Sequence, residues 1–466
     1  MSNEKMDMAK VLAVLAQPRE KAAPLEQVER LQLEIAYITK KRAVETRPVR
    51  VVMPKDILKP MPLVYVPHYE MGEDSVELRD YLAQGWAVAC PDAFSDSYNG
   101  ALTDDDLVFN NAALYALRHR PEFDMKRIVL AGGSAGAYMT LMLNGLQLGL
   151  CASVANGPVP NLYFNFYYYW QKAVALNQKA LAELPGGLEE KDPASGGTPD
   201  VIRHFAALPI PFIAGLAGLF LPNLNNFPDK EDYHRWEELS PIGLCDCFSS
   251  PIIMNHSTSD VLVPVDQLTR KFTYKMPGES LPPDFNMLLP QEFPGRLGRA
   301  LDELLPAEDT RVERITVPAE DHDSDMIYDS TRRFNINIYD DGPPEGYGTH
   351  SARLDTGRRR DIPYLKEMLE RTASQTCQLT PAMLKRLLLR YQGRSIPLPP
   401  HEGVDDTVYG SLAVYRQEIV EELSNWIADH GMEACEAVLG QVMKEKGESS
   451  LEKIFHKICS EMRVQQ

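Results

Sequence analysis

Apolar residues form two kinds of run along the chain, and each kind predicts a different sort of β-strand. In residues 31–37 and 49–53 apolar and polar side chains alternate, which is the period of a strand with one solvated face. The later runs are continuous and rich in β-branched residues, at 62–66, 86–90, 127–131, 152–155, 251–254 and 312–317. Because helix-compatible segments separate these runs, we expect an α/β fold, with a mostly parallel sheet, helices on both faces and an opening antiparallel pair.

Two segments interrupt this succession and divide the chain. Residues 161–240 lack strand-like alternation and contain a cluster of aromatic side chains, which predicts a helical cap inserted in the sheet domain. A second insertion, 270–306, is rich in proline and leucine, and beyond residue 340 the pattern is helical only. The predicted organisation is an N-terminal helical arm (1–27), a sheet domain (28–160 and 241–340), the cap (161–240) and a helical C-terminal extension (341–466).

The acidic balance of the chain argues against two classes of partner. Its 48 Lys and Arg residues against 66 Asp and Glu give a formal net charge of −18, and such a surface repels nucleic-acid backbones and anionic membranes. Residues 1–19 lack the long apolar run of a signal peptide, so we expect a cytoplasmic protein. The seven cysteines are scattered, and we expect no disulfide framework, no metal and no other cofactor.

The sequence Gly132-Gly133-Ser134-Ala135-Gly136 is the clearest chemical signal. It directly follows a predicted strand and precedes a predicted helix, which is where a nucleophilic serine sits on a sharp, strained turn. Small residues two positions before and after Ser134 avoid clashes in such a turn. The helix start adds partial positive charge, and the Ala135 N–H is a predicted oxyanion donor. A tight glycine turn with an incidental serine is the alternative.

A serine hydroxyl needs a histidine to accept its proton and a carboxylate to orient that histidine. Asp260 lies in the segment after the predicted strand 251–254 and is the predicted acid, with Asp266 as its rival. His256 precedes the acid at the strand edge, where we expect it to brace the loop.

His322 is the predicted base. It follows the run 312–317 and, of the ten histidines, it alone lies after the acid and directly beyond a predicted strand. The 62 residues between Asp260 and His322 exceed a simple strand-helix-strand connection, and the 270–306 insertion accounts for the excess. The histidines further along, His350 among them, fall in the predicted linker and helices, where solvated or packed roles are expected.

The second oxyanion donor is expected in the loop 67–72, after the run 62–66. This loop contains no glycine-rich motif, but Tyr69 can donate a phenolic O–H. Packing of the Tyr69 ring under the cap is the alternative.

Taken together, these segments resemble the α/β-hydrolases over roughly residues 31–337. The resemblance is carried by 132–136, 257–264 and Asp321-His322. Within that superfamily, 66–70 and 78–88 resemble the prolyl oligopeptidase and X-Pro dipeptidyl peptidase/cocaine esterase branches. The resemblance implies an oxyanion role for Tyr69, because a loop tyrosine has that role in these branches. We expect the chain to depart from them in having a helical extension in place of a C-terminal jelly roll, and we expect no N-terminal β-propeller.

These residues predict hydrolysis of a carboxylic ester with a bulky apolar group, through an acyl-enzyme. Aromatic residues of the cap are expected to bind this small-molecule substrate, namely Tyr163, Tyr167, Trp170 and Phe212. The same residues suit the cap's own core. An aminopeptidase or dipeptidyl peptidase acting on short peptides is the main alternative, and an acyltransferase is the next. The C-terminal helices are expected either to cover the core or to pair with a second copy of the chain.

Overall fold

The computed structural model places nine strands in one sheet. It describes residues 26–39, 41–67, 71–73, 75–91, 104–165, 233–258, 260, 263–270, 295–316, 326–340, 361–372, 378–393, 405–444 and 449–464. Most of the predicted cap, nearly all of the N-terminal arm and residues 271–294 of the second insertion lie outside these ranges. The domain boundaries therefore stay predictions.

The sheet is mostly parallel, as the apolar runs predict. Its strands are β1 (Val28–Ile38), β2 (Val44–Pro54), β3 (Met61–Tyr65), β4 (Ala87–Pro91), β5 (Phe123–Gly133), β6 (Ala152–Asn156), β7 (Ile252–Ser257), β8 (Thr310–Thr316) and β9 (Phe334–Asp340). Their order is β1-β2-β4-β3-β5-β6-β7-β9-β8. Only the β1–β2 and β2–β4 pairs are antiparallel among these strands. The expected α/β class and its opening antiparallel pair are confirmed.

Helices cover both faces of this sheet. They are α1 (Val76–Ala83), α2 (Asp104–Arg118), α3 (Ala135–Leu146), α4 (Tyr233–Leu239), α5 (Ile362–Thr372), α6 (Pro381–Tyr391), α7 (Leu412–His430), α8 (Met432–Val442) and α9 (Ser449–Val464). Apolar side chains of α1 and α5 pack in one core on one face. Those of α2, α3 and α6–α9 pack in a second core on the other. Among the helices of the described segments, none has both the length and the apolar character to cross a bilayer.

Among the strands that the structure describes, β9 is the one that the apolar runs do not predict. Its sequence alternates Phe334, Ile336 and Ile338 with Asn335 and Asn337, and all five side chains are buried. Buried asparagines broke the continuous apolar run by which the other central strands are recognised. Because β9 pairs with both β7 and β8, the strand predicted to be last, β8, lies at the sheet edge.

The helices that follow β9 pack against the sheet domain. Tyr364 and Leu365 of α5 are buried in the same core as Val129 and Val154 of the sheet, and the Tyr81 hydroxyl donates to Asp361 Oδ2 at 2.5 Å. Helices α6–α9 share the opposite core with α3. The extension covers the core, which is one of the two roles its amphipathic pattern allowed.

A buried ionic cluster joins the extension to the sheet domain. Arg390 donates to the Leu146 carbonyl at the end of α3 (2.8 Å), and to Glu418 Oε2 and Glu422 Oε2 (3.3 Å each). The three charged side chains are only 3–6% exposed. Burial raises the pKa of Glu422 to about 7, and Arg390 opposes this rise. The guanidinium therefore lets two carboxylates stay buried between helices.

Replacing Arg390 by methionine should destabilise the fold in a pH-dependent way. At about pH 8 we expect the free energy of unfolding to fall by about 3–5 kcal/mol, because Glu418 and Glu422 lose their buried cation. At about pH 5.5 the loss should be smaller, because burial raises the pKa of Glu422 above its value in the unfolded chain. The Glu422 carboxyl then binds a proton in the folded variant and loses its buried charge. Urea denaturation at the two pH values measures both losses.

The control is Arg386→Met, one turn earlier in α6, where Nε lies 3.2 Å from the Cys247 sulfur. It should change the free energy of unfolding by less than about 1 kcal/mol. Equal losses in the two variants, or a loss in the Arg390 variant that does not depend on pH, contradict the assigned role of the cluster.

Candidate active site

Ser134 occupies a strained turn between β5 and α3. Its backbone angles are φ 54° and ψ −120°, a region that a residue with a Cβ enters at a cost of about 1–3 kcal/mol. The Ser134 N–H donates to the Asn156 carbonyl of β6 (2.8 Å), and the Ser134 carbonyl accepts from the Tyr138 N–H of α3 (3.0 Å). The sheet and the helix thus hold the turn from both sides.

Two of the flanking glycines have different steric surroundings. A Cβ on Gly132 would lie 2.3 Å from the Gly136 carbonyl oxygen and 2.7 Å from Thr140 Oγ1. A Cβ on Gly133 would have the Asn156 carbonyl oxygen as its nearest atom, at 3.9 Å. The close passage of the chain at Gly132 and Gly136 therefore requires glycine at 132, whereas Gly133 has room for a methyl group.

Asp260 lies three residues after the end of β7, at the same edge of the sheet as Ser134. Its side chain is buried, and Oδ1 accepts a hydrogen bond from the Val263 N–H at 2.9 Å. Gly133, Asn156 and Asn255 are lateral neighbours across β5, β6 and β7. The loop carrying Asp260 therefore leaves the sheet two strands from the serine turn.

His256 does not orient toward Asp260 as the base of a triad would. Its Nδ1 accepts a hydrogen bond from the Ser257 N–H at 2.9 Å, so in the neutral ring the proton is on Nε2. The distance from His256 Nδ1 to Asp260 Oδ2 is 3.8 Å, too long for a hydrogen bond. The side chain is fully buried, and its place beside the acid loop fits the bracing role expected from the sequence.

The predicted base, His322, lies outside the described residues, and so does His350. The strands that lead to them are described and differ in position. His322 follows β8 at the sheet edge, whereas His350 follows β9, which pairs directly with β7. The Thr258 N–H donates to the Tyr339 carbonyl at 3.0 Å, so the end of β9 is joined to the acid loop. Alternation of apolar residues with asparagine at 334–338 was the signal for this strand.

The remaining predicted site residues divide into described and undescribed ones. Ala135 is the first residue of α3, where a backbone N–H has no partner within its own helix. Tyr163 is 1% exposed, and its ring packs edge-on against Trp236 with centroids 5.4 Å apart. This burial agrees with the core-packing role that its sequence also allowed. Tyr69, Tyr167, Trp170 and Phe212 lie outside the described residues.

The closely spaced thiols Cys245 and Cys247 are unsuited to nucleophilic chemistry. Both are buried, and burial raises the pKa of the Cys245 thiol to about 12 and that of the Cys247 thiol to about 11. Protonated thiols are poor nucleophiles and poor metal ligands. Within the ranges the structure describes, no group of three or more His, Cys, Asp or Glu side chains is placed to hold a metal ion.

No protein-family model matches the chain, and no curated protein matches it significantly. Known structures are similar to it at low identity. An acylaminoacyl peptidase of Pyrococcus horikoshii is 18% identical with a TM-score of 0.38, and the match covers 75% of this chain and 42% of that one. Oligopeptidase B from Leishmania major is 13% identical with a TM-score of 0.40, and the match covers 74% of this chain and 37% of that one. An acetyl xylan esterase from Paenibacillus sp. R4 is 12% identical with a TM-score of 0.38, and the match covers 77% of this chain and 92% of that one.

The chain spans less than half the length of the two peptidases. At such TM-scores these similarities carry no functional argument. The fold assignment depends on the chain's own features: the mostly parallel sheet, the strained strand-turn-helix unit at Ser134 and the acidic residue after a later strand. These confirm the α/β class and the mostly parallel sheet expected from the sequence.

Alanine substitutions at the two glycines before Ser134 test the turn geometry, because the two variants differ only in which residue carries the added methyl group. Gly132→Ala should destabilise the protein by about 1–3 kcal/mol or prevent folding, because its Cβ overlaps the Gly136 carbonyl. Gly133→Ala should fold and unfold nearly as the unsubstituted protein does. Thermal unfolding followed by circular dichroism compares the two variants, and equal behaviour contradicts the turn geometry described above.

Proposed function

We propose that the protein is a serine hydrolase that transfers an acyl group from its substrate to water through Ser134. The single observation that carries this proposal is the backbone of Ser134, which is held at positive φ between a central parallel strand and the start of a helix. Such a turn presents Oγ at the carboxyl edge of the sheet. A strained, non-glycine residue at this position points to a functional constraint, since glycine would relieve the strain.

Asp260 is the proposed acid, because its buried carboxylate lies in the loop after β7, at the serine edge of the sheet. For the base, the sheet order favours His350 over His322. Adjacent parallel strands are about 4.8 Å apart, so the loop after β9 starts one strand from the acid and the loop after β8 starts two strands away. The Thr258–Tyr339 hydrogen bond joins the acid loop to the end of β9.

In the proposed reaction, Ser134 Oγ attacks the substrate carbonyl carbon while the histidine takes the serine proton. The tetrahedral oxyanion accepts hydrogen bonds from the Ala135 N–H and the Tyr69 hydroxyl. It collapses with loss of the alcohol or amine, which receives the proton from the histidine. Water then attacks the acyl-enzyme while the histidine takes a proton from it. The second tetrahedral intermediate collapses with release of the carboxylic acid, and the histidine returns the proton to Ser134 Oγ. Asp260 orients the histidine and stabilises its charged form.

An ester with an apolar acyl or alcohol group is the proposed substrate. The support is the aromatic cluster 163–170 in the predicted cap. Tyr163 is no longer proposed to bind the substrate, because its ring packs against Trp236. A peptidase on the same residues remains the alternative. Rates with p-nitrophenyl esters of increasing chain length, compared with aminoacyl and X-Pro arylamides, decide between the two: turnover of arylamides alone excludes the ester proposal.

Ser134→Ala should remove labelling by a fluorophosphonate probe and lower kcat by at least about 10³-fold, because no covalent intermediate forms. The circular dichroism spectrum should stay unchanged, because alanine and serine both carry a Cβ and meet the same backbone strain in this turn. Ser153→Ala, in the neighbouring strand, is the matched control and should keep its labelling. Full hydrolysis by the Ser134 variant refutes the proposed function.

The two histidine candidates are separated by single substitutions. His350→Ala should lower kcat by about 10³-fold or more and His322→Ala by less than about threefold, if the loop after β9 supplies the base. In the active protein, kcat/KM should fall as the pH drops through about 6.5, where an unperturbed histidine takes up a proton. The reverse result, with His322→Ala inactive and His350→Ala active, restores the base predicted from the sequence.

A further inference from the structure

A row of buried asparagine side chains crosses the carboxyl end of the sheet. Asn156, Asn255 and Asn337 are lateral neighbours on β6, β7 and β9. Asn255 Nδ2 donates to Asn156 Oδ1 at 2.9 Å, and Asn337 Nδ2 donates to Asn255 Oδ1 at 3.0 Å. Each side chain is at most 9% exposed. The strands are thus joined here by side-chain hydrogen bonds as well as by their backbones.

Arg311 of β8 is the outer end of this row. Its Nη1 donates to Asn337 Oδ1 at 3.1 Å and to the Ile327 carbonyl at 3.2 Å. A guanidinium can only donate, so it makes Asn337 present its oxygen outward and its amide toward Asn255. The same constraint passes on to Asn255, so the amides of Asn337 and Asn255 both donate in the direction of β5.

The inner end of the row is the residue that holds the candidate nucleophile. The Asn156 carbonyl accepts the Ser134 N–H at 2.8 Å, and Asn156 is the last residue of β6. Asn255 lies five residues before Asp260, and Asn337 lies three residues before the end of β9. The row therefore connects the three strands from which the serine support, the acid loop and the proposed base loop depart.

On β6 and β7 this face of the sheet is apolar up to the layer next to Ser134. Two residues earlier on β6 and β7, the same face presents Val154 and Ile253, which belong to its apolar core. Asn255 Nδ2 also lies 3.5 Å from Met326 Sδ, which belongs to that packing. Apolar residues would fill these places without needing hydrogen-bond partners. On β9 the same face also carries Asn335, which bonds to the backbone of Asp329 and Arg332. The amides that join one strand to the next lie in the layer next to Ser134.

We propose that the row Arg311–Asn337–Asn255–Asn156 is a positioning network for hydrolysis. Resting on the proposed function, it fixes the spacing of the acid and base loops relative to Ser134 and touches no reacting atom. Arg311 acts across three strand spacings, about 14 Å in all. Because a displacement of about 1 Å in a catalytic group can slow a reaction about a hundredfold, loss of the network should lower kcat and leave substrate affinity nearly unchanged.

The test pairs substitutions within the row with matched ones outside it. Asn255→Leu should lower kcat and the rate of fluorophosphonate labelling by about 10- to 100-fold, with KM within about twofold. Asn335→Leu is the control, because Asn335 is equally buried on β9 but bonds only to the backbone of Asp329 and Arg332. It should reduce thermal stability and keep kcat within about threefold of the unsubstituted protein.

The outer end of the row provides a rescue experiment. Arg311→Met should lower kcat about tenfold, and Arg311→Lys should restore most of it, because an ammonium also donates to Asn337 Oδ1. Arg314→Met removes one exposed positive charge from the same strand and should have no effect. All rates are taken well below the thermal unfolding transition of each variant.

Failure of the network and failure of the proposed function give different results. If Asn335→Leu loses as much kcat as Asn255→Leu, or Arg311→Lys is no better than Arg311→Met, the row is only structural and the positioning role is overturned. If Ser134→Ala remains fully active, the proposed function itself falls, whatever the asparagine variants do.

Discussion

The positive φ of Ser134 is the constraint on which the rest of the candidate site depends. A turn of this kind is held by a hydrogen bond to the adjacent strand β6 on one side and by the first turn of α3 on the other. It also needs the close passage of Gly132 and Gly136, where no Cβ fits at 132. The sheet and helix thus offset a local cost of about 1–3 kcal/mol, and the position of Oγ decides where an acid and a base must lie.

The parallel sheet supplies those positions from distant parts of the chain. Carboxyl ends of parallel strands meet at one edge, so the loops after β5, β7 and β9 leave the sheet together although well over a hundred residues separate Ser134 from Asp260. Backbone pairing sets the distance between strands, and the asparagine row adds side-chain hydrogen bonds at the last layer before the loops begin. Spacing and chemistry are therefore linked at this edge.

The C-terminal helices α6 and α7 contact the end of α3, the helix that begins directly after Ser134. Helix α3 starts immediately after Ser134 and ends at Leu146, whose carbonyl accepts from Arg390 of α6. Arg390 in turn holds Glu418 and Glu422 in a buried cluster. An ion pair in the interior is costly unless its partners stay together. The cluster therefore fixes how α6 and α7 pack against α3, the helix that supports the candidate nucleophile Ser134.

The sequence by itself determined the features that depend on neighbouring residues. Continuous β-branched runs and alternating ones were sufficient for eight of the nine described strands and for the α/β class, and the 132–136 motif was sufficient for the strained turn. Each of these features is a local steric or burial preference. Tertiary structure alone decided which strands pair. It inserted β9 between β7 and β8, which is the ground on which we propose His350 rather than His322 as the base, and it buried Tyr163 against Trp236. These outcomes depend on contacts between residues far apart in the chain, and no window of sequence contains both partners of such a contact.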